Sequence, residues 1–246
     1  MKGRLNVLAL LASFSVFSQE AYEIQVYASQ TMPKKSMIIE LHSNVSAVGP
    51  RSNESFRPLH ETLEVTTGIT DNFEFGLYVF TRVNNGRIEY IGNNIRPRVM
   101  APGKWKLPVG LSLSAELGFE KDADSSLTNW GMEIRPIIDK TIGKWYFSFN
   151  PNFEKAFQNG SGFEFTPNFK MYYLINTVGA GFEYYGNVGN AVEWSPGKQQ
   201  FHQLYAVMDL FADPRLELNF GIGRGLTNIS DVWNIKLLPG WRIKWT

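Results

Sequence analysis

Apolar and polar residues alternate one by one along most of this chain. From Trp145 to Glu154, one face carries Trp145, Phe147, Phe149, Pro151 and Phe153, and the other Tyr146, Ser148, Asn150, Asn152 and Glu154. The next stretch repeats the arrangement, with Phe163, Phe165, Pro167, Phe169 and Met171 set against Glu164, Thr166, Asn168, Lys170 and Tyr172. A period of two belongs to a β-strand with one apolar and one polar face. The pattern predicts strands over Ser36–Val45, His60–Ile69, Phe73–Val83, Ile95–Met100, Leu107–Glu120, Trp130–Lys140, Trp145–Ala156, Phe163–Tyr173, Val178–Gly186, His202–Ala212, Leu216–Gly225 and Val232–Trp245. That is about twelve, an even number of the kind single-chain bacterial barrels have.

The connections are expected to alternate in length as well. Thr70–Asn72, Asp139–Lys144, Ile175–Thr177 and Ala212–Arg215 read as short turns, whereas Ser46–Leu59, Asn84–Asn94, Lys121–Asn129 and Asn187–Phe201 read as longer loops rich in turn formers. Short turns at one end and long loops at the other are the layout of a membrane barrel with periplasmic and external faces. Pro97, Pro136, Pro151 and Pro167 fall inside predicted strands, where a residue without an N–H interrupts a ladder, so bulges or bends are expected there.

Periodicity alone does not say whether the apolar face looks inward, as in a β-sandwich or lipocalin-like barrel, or outward toward lipid. Three features select the outward version: ionisable residues sit mid-strand on the polar faces, the chain ends on a strand, and Trp105, Trp130, Trp145, Trp233, Trp241 and Trp245 lie near strand ends. Aromatic girdles belong at bilayer interfaces. Composition agrees, with 14% aromatic residues and 22 Gly beside only 43% hydrophobic residues and a mean hydropathy of −0.20. A helical membrane protein would need apolar runs of about 20 residues, whereas a barrel strand needs only every second residue apolar. The fold expected is therefore an all-β transmembrane antiparallel barrel occupying residues 36–246.

At the N-terminus, Lys2 and Arg4 precede an apolar run from Leu5 to Phe17, and Val16 and Ser18 stand where a signal peptidase reads. Residues 1–18 are expected to be a cleaved signal peptide that exports the chain to the outer membrane of a Gram-negative bacterium. Residues 19–35 stand apart from the barrel. Tyr22, Ile24 and Val26 alternate with Glu23, Gln25 and Tyr27 until Met32-Pro33-Lys34-Lys35 breaks the run, which suits either a short periplasmic strand or a segment tucked into the lumen.

A formal net charge of +1 sets aside nucleic acid as a partner, and the absence of cysteine removes disulfides and thiolate metal sites. With apolar faces on lipid, the polar phase becomes the lumen. It carries Glu40, Glu64, Glu74, Glu116, Glu133, Glu154, Glu164, Glu183, Asp209 and Glu217 beside Arg82, Arg96, Arg98, Arg135, Lys170, Lys236, Arg242 and Lys244. Facing acidic and basic tracks either orient a small solute in a pore or pair across the barrel and close it. The residues expected to steer a solute are Arg96, Arg98 and Arg135, with Glu40, Glu64 and Glu133 as acidic counterparts and His42 and His60 beside them.

A pair formed by His42 and His60 near carboxylates has the donors for a metal ion or for acid–base chemistry, although such histidines more often join hydrogen-bond networks, and no metal or cofactor is expected. His42-Ser43-Asn44 resembles the hydrolytic residues of outer-membrane phospholipases, but neighbours in a strand point to opposite faces and no Gly-x-Ser-x-Gly elbow is present. Gly221-Ile222-Gly223-Arg224-Gly225 has no helix pattern after it, so it does not read as a phosphate loop.

Several short stretches carry a family resemblance: Glu23-Ile24-Gln25-Val26-Tyr27, Glu40-Leu41-His42-Ser43-Asn44, Leu59-His60-Glu61-Thr62-Leu63-Glu64, Ile95-Arg96-Pro97-Arg98 and Glu133-Ile134-Arg135-Pro136. Together they resemble Gram-negative outer-membrane barrels of the group named for the meta-pathway of phenol degradation, whose members are described as transporters. The resemblance implies a barrel and transport, and no catalytic residue.

The function expected is thus a monomeric passive channel for small polar or aromatic solutes, in contact with outer-membrane lipids and without catalytic residues. The alternatives are a closed barrel with a structural or binding role and a lipid-active barrel enzyme.

Overall fold

The structure is a computed structural model that describes residues 24–48, 58–84, 86–121, 128–157 and 162–245. The expected signal peptide lies outside the described residues. Twelve antiparallel strands follow one another around a closed barrel: β1 (Ser36–Val48), β2 (Leu59–Thr70), β3 (Phe73–Asn84), β4 (Arg87–Met100), β5 (Gly110–Lys121), β6 (Thr128–Ile142), β7 (Trp145–Ala156), β8 (Glu164–Ile175), β9 (Val178–Asn187), β10 (Phe201–Leu210), β11 (Leu216–Gly225) and β12 (Trp233–Lys244). β1 closes on β12, with Ser36 opposite Lys244 and Val45 opposite Ile235. Closure removes every free strand edge, the condition for β-structure in lipid, where an unpaired backbone group has no water to turn to.

The sheet is inside out relative to a soluble barrel. Along β1, Ile38, Glu40, His42 and Asn44 are buried while Ile39 and Leu41 are exposed. Across the sheet the exposed side is a continuous aliphatic and aromatic band, for example Leu63, Leu77, Leu113, Ile138, Met208 and Leu237. Every tryptophan lies exposed on this outer surface or on a loop. Trp105, Trp145, Trp241 and Trp245 mark the short-turn end, and Trp130 and Trp233 mark the other. These are the two girdles of a bilayer-spanning barrel.

Two expectations about connections are corrected. The stretch from Asn84 to Asn94 is not the long loop expected, because β3 runs to Asn84 and β4 begins at Arg87, with Gly86 before it at φ 76°. Gly92, Asn93 and Asn94 resemble turn formers, but their positions are set by close packing. A Cβ on Gly92 would lie 1.9 Å from the Phe119 carbonyl oxygen, and Asn94 is buried toward the lumen. The register shift between Phe80 and Thr81 on β3 further masks the alternation in this hairpin. Conversely, residues 101–109 at the opposite end form a longer connection with a 3-10 turn at Gly103–Trp105, where a strand from Leu107 was expected.

The in-strand prolines interrupt the ladder without the bulges expected there, since the register is the same on both sides of each gap, and Pro167 pairs with Pro151 in the β7–β8 ladder. Pairing of β4 with β5 runs to Ile95–Leu117 and resumes at Arg98–Ser114, skipping Pro97. Between β6 and β7 it runs to Ile134–Phe153 and resumes at Ile138–Phe149, skipping Pro136 and Pro151. Each proline lacks the N–H the ladder needs.

Candidate functional site: a lumen occupied by the N-terminal segment

Residues 24–35 do not add a strand to the wall. They run extended through the barrel, which the sequence left open between a periplasmic strand and a lumen position. Ten extended residues reach roughly 33 Å, about the thickness of the hydrocarbon core. Lys34 bridges to Gly68 at the short-turn rim. Ile24 packs with Val26, Phe201 and Tyr205, with Ile229 of the β11–β12 loop against the same cluster, toward the long-loop end.

An extended strand without sheet neighbours has its backbone groups to satisfy, and the barrel's inward side chains do this. Tyr27 N–H donates to Asn150 Oδ1 at 2.8 Å, and the Tyr27 carbonyl accepts from Ser148 Oγ at 2.6 Å and Asn150 Nδ2 at 3.1 Å. Arg98 donates to the carbonyls of Ala28 (3.0 Å) and Gln30 (3.1 Å), and Ser29 and Met32 donate their N–H groups to Asp139 and Glu74 at 2.7 and 2.6 Å. Lys236 Nζ reaches the Ile24 carbonyl at 3.0 Å. Buried backbone groups are nearly always paired, and here the sequence supplies the partners from β3, β4, β6, β7 and β12 at once.

Tyr27 is the centre of the arrangement. Its ring has three guanidinium groups around it: Arg96 at 4.6 Å, Arg135 at 4.6 Å and Arg98 at 5.4 Å from the ring centroid. A desolvated contact of this type contributes about 2 kcal/mol. The Tyr27 hydroxyl shares a 2.8 Å hydrogen bond with the Tyr78 hydroxyl and donates to Glu64 Oε2 at 3.4 Å.

The predicted site residues fall into this picture unequally. Glu40, His42, Glu64, Arg96, Arg98 and Arg135 are all buried in the lumen, and Glu133 lies half-buried with Arg135 Nε at 2.6 Å. Arg96 contacts Glu64 at 2.6 Å and Glu74 at 3.3 Å, and Arg98 contacts Glu74 at 2.7 Å. His42 and His60 do not form a pair. His42 stands opposite Thr62 and His60 opposite Asn44, with Arg82 on the far side of His60. His42 instead meets Glu64, Nε2 to Oε2, at 3.5 Å. Ser43 faces outward and donates to Glu61 at 2.6 Å, so His42 and Ser43 are not assembled as a nucleophile and base. Glu217 and Arg242, also assigned to the lumen, pair with each other at the short-turn rim where both are substantially exposed.

A second ion network was not singled out from sequence. Lys170 contacts Asp209 at 2.7 Å and Glu183 at 3.0 Å, while Lys236 contacts Glu183 and donates to Tyr185 at 3.0 Å. Each residue lies on the polar phase, but only barrel closure brings β8, β9, β10 and β12 to one point. An apolar inward patch of Tyr185, Phe201, Tyr205 and Val207 was missed too. Its signal was the run of large residues on the lumen phase of β9 and β10, and it receives Ile24 and Val26.

No protein-family model matches the chain, and no curated protein matches it. Among solved structures, the fold is similar to an outer-membrane channel from Pseudomonas putida F1. That match has TM-score 0.62 and 10% identity, covering 90% of this chain and all of that one. It is also similar to the KdgM porin, with TM-score 0.51 and 11% identity, covering 85% of this chain and 99% of that one. At such identities the likeness establishes the architecture, that of closed outer-membrane channel and porin barrels.

Proposed function

We propose that this chain is a passive outer-membrane channel for small polar or aromatic solutes. In this reading it is exported through the signal peptide expected at residues 1–18 and acts as a monomer. The observation that carries the reading is the separation between wall and filling. The barrel closes through its own ladder, whereas residues 24–35 are held by side-chain contacts and, at the rim, by the Lys34–Gly68 bridge and a hydrogen bond from Trp245 N–H to the Lys35 carbonyl, so the segment can shift without opening the wall. Behind it the lumen presents Arg96, Arg98 and Arg135, the groups expected to steer a solute.

The enclosure of Tyr27 by three guanidinium groups supports aromatic solutes within that class, since the same stacking and hydroxyl contacts serve any phenol-like ring. It equally favours the second reading, a closed barrel with a structural or binding role, in which the segment stays in place.

The test is solute-driven swelling of proteoliposomes containing the full chain, with small neutral, anionic and aromatic solutes compared side by side, and ion preference measured under a salt gradient. The channel reading expects uptake that falls with solute size, and an ion preference that shifts in Arg96→Ala combined with Arg98→Ala. Inserted, folded protein that admits no solute supports the closed barrel. Unchanged preference removes the two arginines from the path.

A further inference from the structure

Beside the Tyr27 enclosure, three potential metal ligands converge on the β1–β2 wall. Glu40 and His42 are two apart on β1 and share its inward face, and Glu64 stands directly opposite Glu40 on β2. One ligand atom from each lies within 4.8 Å of the other two, and all three side chains are buried.

The cations around them are shared unevenly. Glu64 and Glu74 share Arg96, and Glu74 has Arg98 as well. Glu40 is 5% exposed and meets no cationic side chain at ion-pair distance among the described residues. Its hydrogen bond is a long one from Gln25 Nε2, at 3.5 Å. A buried carboxylate persists when a positive charge or good hydrogen bonds compensate its lost hydration. Glu40 is therefore a buried carboxyl group with no cation of its own, set beside an imidazole and a second carboxylate, where a bound cation would compensate it.

The two oxygens of Glu64 divide the work. Oε1 accepts from Arg96 and Thr66, both at 2.6 Å, while Oε2 faces His42 at 3.5 Å and the Tyr27 hydroxyl at 3.4 Å. The guanidinium thus fixes the carboxylate from behind and leaves its other oxygen on the side of Glu40 and His42. A partner that orients a ligand in this way is a regular feature of metal sites.

We propose that Glu40, His42 and Glu64 bind a first-row divalent cation in the lumen. One imidazole and two carboxylates are donors suited to Zn²⁺ or Mn²⁺. Ligand atoms around a four-coordinate ion with bonds of about 2.0 Å stand roughly 3.3 Å apart, so the site closes on the ion by side-chain rotation of about 1 Å. The ion competes with the Tyr27 hydroxyl for Glu64 Oε2, which links its occupancy to the lumen segment. The site needs no conduction, so it stands or falls apart from the channel reading.

The test is calorimetric titration of Zn²⁺ into tag-free, chelator-washed full chain in detergent. Folding is verified for every variant by the heat-dependent shift in gel mobility and by circular dichroism. One Zn²⁺ per barrel is expected. Binding should weaken more than about tenfold in Glu40→Gln and in His42→Gln, a larger loss than substitution of an orienting partner gives, and stay unchanged in His60→Gln and His202→Gln. Zero stoichiometry in folded protein overturns the proposal, as does binding that survives His42→Gln or disappears in His60→Gln. If a variant does not fold, Co²⁺ added to the unaltered chain decides. Intense four-coordinate visible bands support the site, and only weak bands of the hydrated ion overturn it.

Discussion

The ring of Tyr27 lies 4.6 Å from the guanidinium carbon of Arg96, which joins the lumen segment to the barrel wall at a residue that is itself almost wholly buried. Arg96 also holds Glu64. One cation therefore stabilises a wall carboxylate and a removable aromatic ring together, and the segment and the lumen charges behave as one network.

The rim where the segment meets the wall is sterically tight. A Cβ at Gly68 would lie 2.1 Å from the Pro33 carbonyl oxygen and 2.4 Å from that of Met32. Gly68→Ala is expected to push residues 32–34 away from the wall at a cost of about 1–3 kcal/mol, the usual range for overpacking. It should raise both conductance and proteolysis near Lys34. Gly197→Ala, where a Cβ meets nothing within 4 Å, should leave both unchanged. Equal proteolysis of the two variants would show that the contact with Gly68 does not hold the segment.

Lys236 is fully enclosed and contacts Glu183, Tyr185 and the Ile24 carbonyl. Lys236→Met leaves Glu183 with Lys170 as its remaining ion-pair partner among the described residues and is expected to cost about 3 kcal/mol, as removal of one partner from a buried pair does. Adding Glu183→Gln should recover part of that loss. Urea unfolding in lipid vesicles measures both, and strictly additive losses would argue against a coupled pair.

Trp105, Trp145, Trp241 and Trp245 at one end, and Trp130 and Trp233 at the other, are 40–60% exposed on the outer surface. Girdle residues sit at the bilayer interfaces, so lipids brominated near the headgroup should quench tryptophan fluorescence more strongly than lipids brominated near the chain ends. Stronger quenching from the bilayer centre would contradict the assigned membrane position.

Much of the barrel was legible in the alternation alone, because a strand with lipid on one side and a charged lumen on the other has no freedom of phase. The limits of β7 and β11 coincide with those read from sequence. The first half of β4 was not legible, because Gly92 and Asn94 serve close packing and lumen polarity there, and both demand residue types that also make turns. The lumen residues were readable individually but not as partners. Arg135 reaches Glu133 on its own strand, which spacing suggests, whereas Lys170 with Asp209 depends on register across β8, β9 and β10. The course of residues 24–35 depended on the same closure, since Asn150, Ser148, Arg98 and Asp139 become neighbours of one segment only inside the finished barrel.

Single-channel recording in planar bilayers, comparing the full chain with a variant lacking residues 24–33, addresses the occupied lumen most directly. The full chain is expected to give small steps and the shortened one stable steps several-fold larger, with an ion preference that Arg96→Ala and Arg98→Ala alter. Identical conductance in the two proteins, both shown to be folded and inserted, would contradict a lumen narrowed by its own N-terminal segment.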